Sequence, residues 1–199
     1  NSGVRADMNS ALRLGQVNNV LYGAPYLLDV QSLLVRLPRG TRLAREWTYE
    51  AMLEREQGLV FPAARVGGLN DLAYMQALAD GAVLTEERTL EFEPAALDRM
   101  LDFYVRGLEN GIISADVRNY SSSVEYLEAF SLGIFDSGLF NSNRALRLMA
   151  QDERLHLAPV PSAQGEMLGL LNGWSWVLVS ADSQRREVAM RYLRWMLEA

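Results

Sequence analysis

Short apolar runs alternate with amphipathic stretches along the whole chain. The apolar runs have the length and the β-branched or aromatic content of buried strands. They lie at residues 30–36, 59–64, 88–92, 133–140, 155–160 and 174–180. The amphipathic stretches repeat apolar side chains at helical spacing. They lie at residues 44–56, 69–81, 94–110, 124–130, 142–150 and 182–199. Strands that alternate with helices in this way predict an α/β fold.

The unit at the end of the chain shows this pattern most clearly. Asn172 and Gly173 break the preceding run, and residues 174–180 (WSWVLVS) then form a candidate strand. Asp182 or Ser183 can cap the helix that follows. One face of that helix is apolar and consists of Val188, Ala189, Tyr192, Leu193, Met196 and Leu197. By themselves these residues indicate an ordinary strand–loop–helix unit.

Composition narrows the possible partners and compartments. The 199 residues suffice for one domain or two small ones. A formal net charge of −6 without any basic cluster argues against nucleic acid as a partner. No apolar run is long enough to span a bilayer. The first residues lack the basic start and apolar stretch of a signal peptide, so an exported protein is expected to have lost its leader before residue 1.

The sequence offers little catalytic chemistry. It has no cysteine, and its one histidine, His156, lies in an apolar run where a structural role is expected. This excludes a cysteine nucleophile and a thiolate zinc site, and no Gly-rich phosphate loop or G-x-S-x-G motif is present. Neither a metal nor a cofactor is therefore predicted. A pair of carboxylates, such as Asp29 and Asp136, stays open as a glycosidase-like alternative, although we do not expect an enzyme.

Aromatic residues beside turns and strand ends are more informative. They are Tyr22, Tyr26, Phe61, Phe140, Trp174 and Trp176. An aromatic ring next to polar groups can pack on the C–H face of a sugar while the polar groups bind its hydroxyls. Trp176, inside a strand, is expected to belong to the core. For Trp174 and Phe140 the sequence leaves core packing and ligand stacking equally open.

Short motifs follow one another along the chain, beginning with YGAPYLLD from Tyr22 to Asp29 and WTYE at residues 47–50. They resemble the Y-G-x-P-x-x-x-D and T-W-x-E stretches of the carbohydrate-type extracellular solute-binding proteins of ABC importers, the maltose and glycerol-phosphate type of bacterial family 1. Residues 130–140 resemble F-x-x-G-x-x-A-M-x-x-x-G-x-W, and residues 157–161 resemble A-P-x-P. NGW at residues 172–174 and the final helix resemble G-G-W and E-A-A-x-x-F-L-x-F-L.

The resemblance implies a fold and a domain organisation. The family has a periplasmic-binding-protein-like fold of type II, in which two α/β lobes with three layers, helices around a mixed sheet, form a clamshell. Residues 1–29 then correspond to the approach to the first hinge crossing, residues 30–165 to the second lobe, and residues 166–199 to the segment that returns to the first lobe. Family members are about twice as long, so the chain matches mainly the second lobe.

The resemblance also implies a function and a site. Members capture sugars, oligosaccharides or polyol phosphates between the lobes and deliver them to a membrane permease, as periplasmic proteins or lipoproteins outside the cytoplasm. Carried over by position, the ligand-binding residues are Tyr26, Asp29, Phe140, Asn172, Gly173 and Trp174, with Arg65 and Arg144 as weaker candidates. An extracellular sensing or interaction domain with the same fold is the main alternative.

The strand at residues 174–179 raises a separate question. In the family it belongs to the first lobe, whose opening sheet has no counterpart in this sequence. We therefore expect the strand either to join the remaining sheet or to pair with a second copy, since an uncovered apolar edge favours self-association.

Overall fold

The structure, a computed structural model, describes residues 12–43, 47–54, 58–64, 68–85, 87, 89–165 and 168–198. The chain forms two compact units: unit 1 consists of Asn1–Asp29 and Leu171–Ala199, and unit 2 of Val30–Leu170. The chain thus passes between the units twice.

The described elements confirm the predicted alternation of strands and helices. The strands are β1 (Gln16–Val17), β2 (Val20–Leu21), β3 (Gly23–Arg36), β4 (Leu59–Val60), β5 (Val83–Leu84), β6 (Leu90–Glu91), β7 (Ser137–Asn141), β8 (Leu155–Ala158) and β9 (Leu170–Val177). The α-helices are α1 (Tyr49–Glu54), α2 (Asp71–Ala79), α3 (Pro94–Glu109), α4 (Leu127–Ser131), α5 (Ser142–Met149) and α6 (Ser183–Glu198), and a 3₁₀ helix spans Ala115–Asn119. None of the described helices has the length and apolar content needed to cross a membrane.

A mixed sheet lies at the centre of unit 2. Its strand order is β4-β7-β3-β8; β3 is antiparallel to both neighbours, whereas β4 and β7 are parallel. The part of β3 just before its end, Leu33 to Val35, is wholly buried because strands flank it on both sides and helices cover the sheet. This α/β architecture with a mixed sheet is the predicted fold class.

Local sequence signals account for the helix starts in unit 2. The Asn70 and Asn141 side chains accept hydrogen bonds from the backbone N–H groups of the first turns of α2 and α5. Pro94 begins α3, where its missing N–H costs nothing. These helix starts agree with the predicted ones to within two residues.

Unit 1 is built from the start of β3, strand β9, helix α6 and a hairpin. The hairpin joins β1 to β2 through Asn18 and Asn19, both with positive φ, as a tight two-residue turn requires. The Asp182 side chain caps α6 by accepting from the N–H of Arg185 at 2.9 Å, as the sequence predicts. Strand β9 pairs with β3, which is the first of the two arrangements expected for it.

Several predicted elements differ from the structure: β3, predicted to begin at residue 30, begins at Gly23, and the strand predicted at 59–64 ends at Val60. The strand at 133–140 begins only at Ser137, because Gly133, with a φ of +79°, ends a turn after α4. The helix at 124–130 begins at Leu127, since residues 121–126 form turns held by hydrogen bonds from Ser121 to Glu125. The closing strand begins at Leu170 rather than 174, so Asn172 and Gly173 lie within it. Residues 44–46, 55–57 and 88 of other predicted elements lie outside the described residues.

Candidate functional site

An exposed aromatic face lies in unit 1. Asn172, Trp174 and Trp176 alternate along β9 and share one face of the strand. The ring of Tyr26, on β3, meets that of Trp176 edge to face, with 5.3 Å between the ring centroids. Trp174 is 73% exposed and Tyr26 58%. Trp176 is 39% exposed, so the prediction that it belongs to the core is wrong; it lines a surface cavity together with side chains of α6.

Gly173 lies on the opposite face of β9 and has a packing role. A Cβ atom there would be only 2.6 Å from the Leu27 carbonyl oxygen and 3.0 Å from the Leu14 side chain. Close approach of β9 to β3 therefore requires glycine. Asp29, also predicted as a site residue, is half-buried at the last position of unit 1.

We expect Gly173→Ala to loosen unit 1. The added methyl group forces β9 away from the Leu27 carbonyl, so amide exchange in β9 should become at least about ten-fold faster, while unit 2 is unchanged. Gly68→Ala, where a Cβ would meet nothing within 4 Å, is the control. Unchanged exchange in β9 would show that the strand accommodates the methyl group.

Phe140 is a core residue, which corrects its prediction as a stacking aromatic. It is 0% exposed, and its ring contacts those of Phe130 and Tyr126 edge to face at centroid distances of 4.8 and 5.3 Å. Its position in β7 directs the Phe140 side chain into the hydrophobic core of unit 2, so a ligand cannot reach its ring. The polar residue Asn141 follows it along the chain.

The end of the unit 2 sheet at which β3 enters is the second candidate region, and we call it the entry end. Val30 donates its backbone N–H to the Ser142 Oγ at 3.2 Å, and Gln31 pairs with Asn141. The parallel strands β4 and β7 both run toward this end, so the segments that follow them, residues 61–64 and 141–144, leave the sheet there. Ligands of α/β folds commonly bind beyond the carboxyl ends of such strands.

Polar side chains collect at the entry end. The Arg144 guanidinium donates to the Ser123 Oγ at 2.5 Å, and Asn143 is exposed beside it. Sequence reasoning missed Asn141 and Asn143 as candidates, although an Asn-Ser-Asn run directly after an apolar strand was the available signal. Arg144 was a weaker candidate, and Arg65 lies outside the described residues.

The strongest charge interactions lie away from the entry end and are structural. Arg36, at the last position of β3, donates to Asp152 and forms an ion pair with Asp136. Hydrogen bonds from Arg154, and a further one from Arg36, hold the pKa of the Asp152 carboxyl well below its usual range. Asp136, one half of the alternative carboxylate pair, is thus engaged with an arginine at the other end of β3 from Asp29.

His156 and the buried tyrosines have structural surroundings. His156 lies in β8 opposite Val35 rather than at the entry end. Burial raises the pKa values of Tyr104 and Tyr126, so both phenols stay protonated. Among the described residues, no three histidine, aspartate or glutamate side chains are grouped so that they could hold a metal ion.

Sugar-binding proteins are among the solved structures that resemble this chain. Maltose-bound MalE3 of T. maritima is similar over 90% of this chain and 51% of its own, at 19% identity and a TM-score of 0.70. The sugar-binding protein MalE of Xanthomonas citri matches over 93% and 50%, at 18% identity and 0.67. An ABC transporter solute-binding protein of Thermotoga lettingae TMO, bound with α-D-tagatose, matches over 92% and 54%, at 17% identity and 0.61.

These likenesses confirm the fold that the sequence motifs predict, that of MalE-like periplasmic binding proteins. The chain spans about half the length of the structures it matches. No protein-family model matches the sequence, and neither does any curated protein.

Proposed function

We propose that this chain is part of the substrate-binding component of an ABC importer, which captures a sugar between two lobes outside the cytoplasm and delivers it to the permease in the membrane. Periplasmic and lipid-anchored forms both agree with this role. The fold supports the proposal, since solved structures that share it are sugar-binding proteins. The ligand class rests on the residues described next.

The exposed aromatic face of unit 1 carries the proposal. Large aromatic side chains exposed on one strand face are costly unless they bind something. A pyranose ring offers C–H groups that pack on the rings of Trp174 and Tyr26, and hydroxyl groups that bind the neighbouring Asn172 amide. Gly173 supports this proposed site from the opposite face by letting β9 approach β3, and Asp29, three residues after Tyr26 along β3, stays a separate candidate.

The entry end of unit 2 supplies the complementary chemistry. Asn141, Asn143 and Arg144 offer amide and guanidinium groups, which donate to sugar hydroxyls, and the amide oxygens accept from them. None of this requires a bond to be made or broken. A glycosidase would instead need two carboxylates facing one bond, whereas Asp136 is paired with Arg36.

A thermal-shift screen of the chain tests the proposal. The panel contains maltose, acarbose, D-tagatose and glycerol phosphate. A ligand that binds only the folded state raises the melting temperature by mass action. We expect a concentration-dependent rise with at least one sugar. A flat response to every compound would contradict sugar binding and favour the sensing or interaction role.

Trp174→Ala should weaken sugar binding most within unit 1. Losing an exposed stacking ring at the centre of a site costs about 2 kcal/mol or more, equivalent to about a thirty-fold weaker affinity. Trp195→Ala is the matched control, because Trp195 is also exposed in unit 1 but lies on α6. Calorimetric titration with the sugar that gives the largest thermal shift measures both. Equal affinities of the two variants would remove Trp174 from the site.

A further inference from the structure

A tight turn follows β8 in unit 2 and displays one polar side chain. The turn runs from Ser162 to Gly165, whose N–H donates to the Ser162 carbonyl at 3.4 Å, and Gly165 has a φ of +69°. Ser162 is wholly buried, but Gln164 is exposed. Within the part of the chain that the structure describes, the Gln164 amide has no hydrogen-bond partner.

The register of the sheet places this turn toward the entry end. Strand β8 is antiparallel to β3, with Leu155 opposite Arg36 and Ala158 opposite Leu33. Beyond Ala158 the chain therefore continues in the direction of Val30. The turn belongs to the same end of unit 2 as the polar residues that follow β7.

Two polar side chains hold the turn: one belongs to helix α2, and the other to the residue that follows the helix. Asp80 accepts from the backbone N–H of Ala163 at 2.7 Å and from the Tyr49 hydroxyl at 2.6 Å. Gln76, which is wholly buried, donates to the Pro161 carbonyl at 3.0 Å and accepts from the Tyr104 hydroxyl at 2.6 Å. The residues on both sides of Ser162 are thus tied to the same helix.

The backbone of Ser162 is fixed as well. It donates to the Trp47 carbonyl at 3.0 Å and accepts from the Tyr49 N–H at 3.2 Å. Hydrogen bonds in a buried network are strong because the local dielectric constant is low, and a network with its partners in place keeps one geometry. An exposed side chain on such a turn is held ready for binding with little further loss of entropy.

We infer that Gln164 is a ligand-contacting residue of the unit 2 site and that Asp80 and Gln76 are its positioning residues. This inference rests on the proposed function. An amide suits a sugar because it donates to one hydroxyl and accepts from the next. Asn110, by comparison, is an exposed amide that directly follows the end of α3.

Affinity measurements on single variants test the contact. With maltose, acarbose and D-tagatose as probes, Gln164→Ala should bind each sugar that the unmodified chain binds about three- to ten-fold more weakly, the loss of one neutral hydrogen bond. Asn110→Ala, which removes an exposed amide after the end of α3, should stay within about two-fold. Because Gln164 is exposed, its variant should keep the melting temperature. Unchanged affinity of Gln164→Ala would overturn the inference while leaving the proposed function standing.

The positioning role has a separate readout that needs no ligand. In Asp80→Ala, amide exchange of residues 162–165 should become about ten-fold faster or more, whereas Ser137→Ala, which removes another side-chain hydrogen bond of unit 2, to the Gly58 carbonyl, should leave these amides unchanged. Unchanged exchange at 162–165 in Asp80→Ala would refute the positioning role.

A double-mutant cycle links the two roles. If Asp80 acts on the ligand through Gln164, the variant with both Asp80→Ala and Gln164→Ala should bind no more weakly than the weaker single variant. Fully additive losses would show that Asp80 acts independently of Gln164. If the unmodified chain binds none of the three sugars but its amides at 162–165 exchange slowly, the proposed function and the Gln164 contact are both refuted, and the turn is only structural.

Discussion

The Phe140→Ala variant is expected to lose about 3–5 kcal/mol of its free energy of unfolding. The phenylalanine ring is wholly enclosed between Phe130 and Tyr126, and both of those side chains are held by surrounding structure. The Tyr126 hydroxyl donates to the Leu139 carbonyl, so its ring cannot easily move into the space. Urea unfolding followed by circular dichroism measures the change.

Leu146→Ala is the matched control for this variant. Leu146 is in the adjoining helix α5 but is 60% exposed, so its truncation should change the free energy of unfolding by no more than about 0.5 kcal/mol. If Phe140 were a ligand-stacking ring, its variant would lose affinity while keeping its stability. That outcome would contradict the core position of Phe140.

Arg36→Met is expected to cost about 2–4 kcal/mol of folding stability. The Arg36 side chain is only 10% exposed and donates to the carbonyl oxygens of Phe130 and Phe135 at 3.0 and 3.2 Å. Its guanidinium also lies 5.1 Å from the centre of the Phe130 ring. Methionine keeps the apolar stem but removes this donor. The Phe130 carbonyl still accepts from the Gly133 N–H, so losing the arginine there costs about 1 kcal/mol, whereas losing it at the Phe135 carbonyl costs about 1–3 kcal/mol. Arg154 still pairs with Asp152.

Arg39→Met is the control that compares the loss of an exposed ion pair with the loss of the buried Arg36 interactions. Arg39 pairs with Glu153 at 3.1 Å, but both side chains are more than 70% exposed, and such surface pairs contribute little. Its variant should unfold within about 0.5 kcal/mol of the unmodified chain. Similar losses for the two arginine variants would mean that the hydrogen bonds of Arg36 to backbone carbonyls contribute nothing.

The fold was largely predictable because its signals are local. Asn70, Pro94 and Asp182 each begin a helix by a mechanism that operates within one turn of chain. The first half of β3 was not predictable, since YGAP reads as a turn and Pro25 disfavours a central strand. Pro25 is accommodated because it lies in unit 1, where β3 has few neighbours.

The site was less predictable because it depends on which face of a strand meets a second layer. Phe140 and Trp176 both lie in strands with apolar neighbours, yet one is wholly buried and the other is not. Burial depends on other segments of the chain. For Phe140, these are the segments that carry Phe130 and Tyr126. Gln164 had no sequence signal at all, since its position depends on Asp80, far away in the chain.

Saturation-transfer NMR on the full chain with maltose tests the central claim most directly. Irradiating the aromatic protons of the protein transfers magnetisation to sugar protons that lie against an aromatic ring. The account predicts strong transfer to the C–H protons of one pyranose face, reduced in Trp174→Ala and preserved in Trp195→Ala. Absence of transfer with maltose, and equally with acarbose and D-tagatose, would contradict sugar binding by the aromatic face of unit 1.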